Sequence, residues 1–116
     1  MSEPMNKLSS AQCNEQADDI SIIGQKEAAD HTRNLDPPWQ LNIEDKTISH
    51  TFSFKNFYQT MAFVNVIAQI AHQQDHHPEL LVSYNRCKVT YFTHSIGGLS
   101  MKDFICAAKI NSAQEL

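Results

Sequence analysis

Three of the chain's six histidines lie within the seven residues His72-Gln73-Gln74-Asp75-His76-His77-Pro78. Imidazoles, with a reference pKa of about 6.5, bind metals and exchange protons near neutrality, so the cluster has three candidate uses: a metal site, acid/base chemistry, or the finishing of a helix. If a helix persists to Asp75, His72 and His76 share one face at the i, i+4 spacing that metal sites use. A zinc hydrolase of the His-Glu-x-x-His kind needs a Glu directly after the first His. Gln73 stands there instead, with no Cys-x-x-Cys or carboxylate cluster nearby, so no metal is expected. Imidazoles at a helix C-terminus also complement its dipole, and Pro78 stops a helix, which accounts for one histidine on stability alone. Adjacent His76 and His77 must diverge, so at least one leaves the helix surface, and that favours acid/base work on a neutral substrate.

Two further residues belong with this cluster. His94 ends a strand-like segment on its polar face, and Ser100-Met101-Lys102-Asp103 has the S-x-x-D form of a capping box, in which the carboxylate satisfies an orphan amide at a helix start. His31 reads as solvated surface and His50 as a strand residue. Trp39, after two prolines and at the head of a strand, reads as core.

The elements that must position these side chains follow from periodicity. Residues 1–23 mix Ser, Asn, Gln, Glu and Asp with few large apolar residues and read as a mobile or loosely docked tail, leaving 24–116 as one domain. Gln25 to Asn34 has helix-forming composition and is stopped by Asp36-Pro37-Pro38. Residues 39–43 and 46–54 alternate as a hairpin, with Ile48, His50, Phe52 and Phe54 on one side. From Asn56 to about Gln74 the period becomes helical, with Phe57, Met61, Val64, Ala68 and Ala71 on one line and Phe63, Ile67 and Ile70 on another. So wide an apolar arc predicts self-association. Leu80 to Tyr84 and Cys87 to His94 form a second strand pair, with Cys87, Val89 and Tyr91 opposite Lys88, Thr90, Phe92 and His94. Ile96 to Leu99 is expected as a flexible connection, and Ser100 to about Lys109 as a closing helix burying Phe104, Ile105 and Ala108. The order α-β-β-α-β-β-α predicts an α+β fold, a four-stranded antiparallel sheet with three helices packed on one face.

Bulk properties exclude several function classes. The 116 residues, 41% of them hydrophobic, suit a single modest core. A formal charge of −4 without any Lys/Arg block disfavours nucleic acid as a partner. No apolar run is long enough to span a membrane, and Met1 to Gln12 lacks the apolar core of a signal peptide, so the expected location is cytoplasmic. Cys13, Cys87 and Cys106 are odd in number and widely spaced, which argues against a disulfide framework and a zinc knuckle. Cys87 and Cys106 read as small buried hydrophobes.

The sequence "DHHPELLVSYNRCKVTYFTHSIGGLSMKDF" resembles the pterin-4a-carbinolamine dehydratases. The matching positions are His72, His76-His77-Pro78, Tyr84, His94 and Asp103, supported by Trp39-x-Leu41, "FSFKNF" and "THSIGGLSMKDF" over about residues 36–109. The chain departs from many relatives at His72 and Leu80. The resemblance implies the same α+β fold, assembled as a homodimer or homotetramer through the sheets and the long helices. It also implies loss of water from a 4a-hydroxytetrahydropterin, without metal or organic cofactor, in the recycling of the pterin used by aromatic amino acid hydroxylases. It assigns His76 and His94 as the acid/base pair and His77 as an orienting group with possible proton transfer. Asp103 would hold an imidazole in its tautomer while also capping its helix. His72, Asp75, Pro78, Thr93 and Ser95 are the expected substrate contacts. The competing expectation is a non-catalytic dimerisation cofactor in gene regulation, which would use the helical surface and not the histidines.

Overall fold

The structure, a computed structural model, describes residues 8–13 and 21–114. Helix α1 spans Gln25–Asn34 and ends where Asp36-Pro37-Pro38 forbids its continuation, the Asp36–Pro37 peptide being cis. Strands β1 (Gln40–Asn42) and β2 (Thr47–Ser53) form a hairpin. The Asn42 side chain closes its turn by accepting from the Asp45 amide at 2.9 Å. Helix α2 spans Phe57–Gln74, and its start is fixed by Asn56, whose side chain accepts from the Gln59 amide at 2.9 Å. Strands β3 (Glu79–Val82) and β4 (Arg86–Tyr91) follow, then a 3-10 turn at His94–Ile96 and helix α3 at Met101–Gln114.

The sheet is antiparallel throughout, in the order β1-β2-β4-β3, and the helices cover one face. The register sets Ile48 against Tyr91, His50 against Val89 and Phe52 against Cys87, so the apolar alternation of both strands falls on the covered face. Ile48, Cys87, Val89 and Tyr91 are fully buried there. Trp39 joins the same core, as expected, with its ring near those of His50, Phe52 and Tyr91. Burial among these rings holds the His50 pKa below the usual imidazole value.

Several expectations need correction. Strand β4 stops at Tyr91 because the chain turns on itself: Thr93 and Gly98 exchange backbone hydrogen bonds at 2.9 and 3.4 Å, so His94 leaves the sheet and opens the 3-10 turn. Residues 96–99 are therefore a closed turn in which Gly97 adopts the left-handed conformation (φ 66°) and Gly98 and Leu99 are buried. Helix α3 runs on to Gln114, and its buried set extends to Cys106, Ala107, Ile110 and Asn111, because residues 8–13 pack against it as well as α2 and the sheet. His31 is half-buried, with its ring 5.1 Å from that of Phe104. Of the two apolar lines on α2, Phe63 and Ile67 are buried, whereas Phe57 and Ala68 of the other line are exposed.

Of the segment expected as a tail, residues 8–13 and 21–23 lie against the domain, and the remainder is outside the described residues. Cys13 is fully buried, and the Ile23 amide donates to the Leu99 carbonyl at 2.8 Å.

One polar bridge ties the segment leading into the first strand to the last helix. Buried Asn111 accepts from Trp39 Nε1 at 2.9 Å and donates to the Pro37 carbonyl at 3.0 Å. Asn111→Ala strips both groups of their partner inside the core, with an expected loss of about 1–3 kcal/mol read as a lower Tm in thermal unfolding.

Candidate functional site

The end of α2 decides where the first histidines go. Asp75 takes the left-handed conformation (φ 51°), its amide reaches the His72 carbonyl at 3.4 Å, and the His76 amide reaches the Ala71 carbonyl at 3.1 Å. This is a Schellman termination, which turns the chain out of the helix at Asp75, before Pro78 is reached. His72 and His76 therefore do not share a helical face. The exposed His72 stays on α2, and His76 swings back beneath the sheet.

His76 lands on Asp103. Its Nε2 lies 2.7 Å from Asp103 Oδ1, with the His76 side chain 12% exposed and that of Asp103 fully buried. The other carboxylate oxygen accepts from the Thr93 hydroxyl at 2.8 Å and the Ser100 amide at 2.9 Å. Thr93 spends its one proton on Asp103, so the Ser100 hydroxyl, 2.8 Å away, donates to Thr93 in turn. A carboxylate only accepts, so the neutral His76 carries its proton on Nε2 and leaves Nδ1 as the basic nitrogen. The imidazole is also stacked on Tyr91 at 5.3 Å and 16°, which fixes its plane. Burial pushes the Tyr91 pKa up, so the phenol stays protonated.

A cleft of about 230 Å³ opens above this pair, lined by Asp75, His76, His77, Phe92, Thr93, His94, Ser95 and Lys102. Seven of its positions come from two places in the sequence, the turn after α2 and the exit of β4. Of the expected set, the cleft gathers His76, His77, His94, Asp75, Thr93 and Ser95, with Asp103 directly behind His76. His72 and Pro78 are not among its lining residues. Thr93 lines it, but the hydroxyl is committed to Asp103 and Ser100. The expected capping role of Asp103 holds in one arm: its carboxylate takes the Ser100 amide, while the Ser100 hydroxyl turns to Thr93.

Two lining residues were not singled out from sequence. Phe92 supports His94, their rings 4.1 Å apart and edge-on, and its signal was an aromatic on the otherwise polar side of the strand expected over 87–94. Lys102 supplies the cleft's cation, and its signal was adjacency to Asp103 in the first turn of α3. Among the described residues no group of three or more His, Cys, Asp or Glu is arranged to hold a metal ion. No described helix is long and apolar enough to cross a membrane.

The sequence matches the family described as Pterin 4 alpha carbinolamine dehydratase over residues 22–113. It is similar to two provisionally named pterin-4-alpha-carbinolamine dehydratases. The protein from Nitrosomonas eutropha is 54% identical over 79% of this chain and 80% of its own, and that from Nitrosospira multiformis 49% identical over 97% and 96%. Among solved structures, a transcriptional coactivator/pterin dehydratase from Brucella melitensis superposes with a TM-score of 0.75 at 35% identity, covering 79% of this chain and 97% of that one.

The Asp103 contact makes a spectroscopic prediction. In ¹⁵N NMR at a pH where His76 is neutral, Nε2 should be the protonated nitrogen, and Asp103→Asn should shift the population towards the Nδ1–H form. A wild-type spectrum dominated by the Nδ1–H tautomer would sink the assignment.

Proposed function

This chain belongs to the pterin 4 alpha carbinolamine dehydratase family, and we propose that its cleft removes water from a 4a-hydroxytetrahydropterin to give the quinonoid dihydropterin. The observation that carries this reading is the His76–Asp103 pair at the back of the cleft, with His77 and His94 at its rim. In the reaction the bond from C4a to the hydroxyl oxygen breaks, the adjacent ring nitrogen loses its proton, and the electron pair released forms the new C=N bond. Hydroxide is a poor leaving group, so an acid must protonate the departing oxygen, and a base must take the nitrogen's proton.

His76 suits the base. Asp103 holds its Nε2–H, which keeps the Nδ1 lone pair in place and stabilises the imidazolium that forms when the proton is taken. His94, exposed at the opposite rim and braced by Phe92, is the acid in this scheme. His77 is also exposed and orients the heterocycle from the α2 side, and Ser95 and Asp75 offer further polar contacts. The product would re-enter, after reduction, the pterin pool of an aromatic amino acid hydroxylase.

Self-association is part of the same reading. Strand β3 lies at the sheet edge with Leu80, Leu81 and Val82 exposed by 36%, 71% and 37%, and Tyr58 on α2 is 83% exposed. An apolar edge strand with unpaired backbone groups is a surface that a second copy can cover by continuing the sheet. Light scattering at micromolar concentration should give a multiple of the monomer mass, and Leu81→Lys should shift it towards monomer. A monomeric wild type would overturn the inference.

The catalytic reading is tested by following decay of 4a-hydroxytetrahydropterin. His76→Ala and His94→Ala should each lower kcat by about 100-fold or more, the scale of a lost acid or base. His77→Ala should act more on KM, and His72→Ala should leave both near wild type. If the wild type fails to exceed the uncatalysed rate, the enzyme reading fails. A regulatory activity that survived replacement of His76, His77 and His94 together would favour a coactivator role like that described for the Brucella protein.

A further inference from the structure

Two cysteines that the proposed reaction does not use meet behind the cleft. Cys13 Sγ and Cys106 Sγ lie 3.6 Å apart, both residues fully buried, although 93 positions separate them in the chain. Cys106 stands on α3 in the helical turn after Asp103. Cys13 lies among residues 8–13, whose Leu8 and Ala11 pack against the core. Its amide donates to Gln74 Oε1 at 2.8 Å, Gln74 Nε2 donates to Gln12 Oε1 at 2.8 Å, and Lys109 Nζ donates to the Ser9 carbonyl at 2.9 Å. Cys87, the third thiol, is buried on the covered face of the sheet.

We propose that Cys13 and Cys106 form a reversible intramolecular disulfide, made by hydrogen peroxide, that staples residues 8–13 to α3. The two thiols have unequal roles. Cys13 lies on the segment that opens and Cys106 on helix α3, so Cys13 is the sulfur that meets the peroxide and Cys106 the resolving one. In the first step the Cys13 sulfur bonds to one peroxide oxygen, the O–O bond breaks, and water leaves, giving a sulfenic acid. In the second the Cys106 sulfur attacks the Cys13 sulfur, the S–O bond breaks, and the thiol proton departs with the hydroxyl as a second water. Two thiols lose two electrons and one hydrogen peroxide becomes two waters. Access comes from local opening: residues 8–13 separate from α3 at less than the global unfolding free energy, and their return brings Cys13 back to Cys106.

The staple would act on the elements that carry the cleft. Gln74, held by Gln12 and Cys13, is the last residue of α2 before the turn that launches His76, and α3 carries Asp103.

The test treats the purified full chain with hydrogen peroxide, blocks the remaining thiols and maps peptides by mass spectrometry, alongside thermal unfolding. The expected result is one intramolecular cross-link joining the Cys13 and Cys106 peptides, with Cys87 still alkylatable after denaturation and full reversal by dithiothreitol. Closing so long a loop should raise the Tm of the oxidised protein by at least roughly 5 °C. Cys13→Ala should abolish both the cross-link and the Tm rise. A bond through Cys87 or between chains, overoxidation without a cross-link, or an unchanged or lower Tm would each overturn the proposal. The wild-type comparison decides even if Cys13→Ala fails to fold, and none of these readouts depends on dehydratase activity.

Discussion

The carboxylate of Asp103 is the point on which the rest of the site depends. It is fully buried, and three groups from three parts of the chain converge on its two oxygens: His76 after α2, Thr93 after β4 and the Ser100 amide at the start of α3. An isolated buried carboxylate would be prohibitively costly, so it stands only because its acceptor sites are filled by aimed donors. The same bonds lock together the turn after α2, the exit of β4 and the start of α3. The group that orders the imidazole is therefore also the group that assembles the cleft.

That arrangement requires α2 to end early and sharply. A helix continued to Asp75 would leave His76 on its outer surface, one turn beyond His72 and away from Asp103. The left-handed Asp75 redirects the backbone within a single residue, and the two amide bonds to Ala71 and His72 satisfy carbonyls that the helix end would otherwise leave open. Pro78 then only keeps the helix from resuming. The burial of Gln74, bonded to Gln12 and to the Cys13 amide, anchors the last helical residue just before the turn. His72, one turn earlier and exposed, is left outside the cleft.

Much of the fold was legible because its alternations are strict. Ile48-x-His50-x-Phe52 and Cys87-x-Val89-x-Tyr91 admit one inward face each, and the register pairs them. The end of α1 was legible from Asp36-Pro37-Pro38 and its start from the helix-forming composition that begins at Gln25. What was not legible rests on bonds between segments far apart in sequence. The closed turn at 93–98 depends on Thr93 pairing with Gly98, where the two glycines alone suggested slack. The near all-round burial of α3 depends on residues 8–13, where Leu8, Ala11 and Cys13 join or flank the core within a region whose overall composition read as a mobile or loosely docked tail. In the site, the His-His-Pro, His and Asp positions were readable, but the choice of His76 as the partner of Asp103 is set by a left-handed Asp75, a conformation that non-glycine residues adopt rarely.

The three cleft imidazoles are unequal, and the inequality follows from how each is held. His76 is nearly enclosed, hydrogen-bonded to Asp103 and stacked on Tyr91, so its tautomer and plane are determined before any ligand arrives. His77 and His94 are exposed, and His94 meets Phe92 only edge-on. A base that must take a proton from a fixed ring nitrogen gains from being pre-oriented, since each misdirected rotamer subtracts from the productive population. An acid that follows a departing hydroxyl into solvent gains from standing at the rim, where the water formed can leave. Enclosing all three would have required a further buried carboxylate or equivalent acceptors for each, at several kcal/mol of desolvation apiece. One buried acid supporting one fixed imidazole, with two others left at the surface, is the arrangement that the proposed dehydration needs and that a core of this size can sustain.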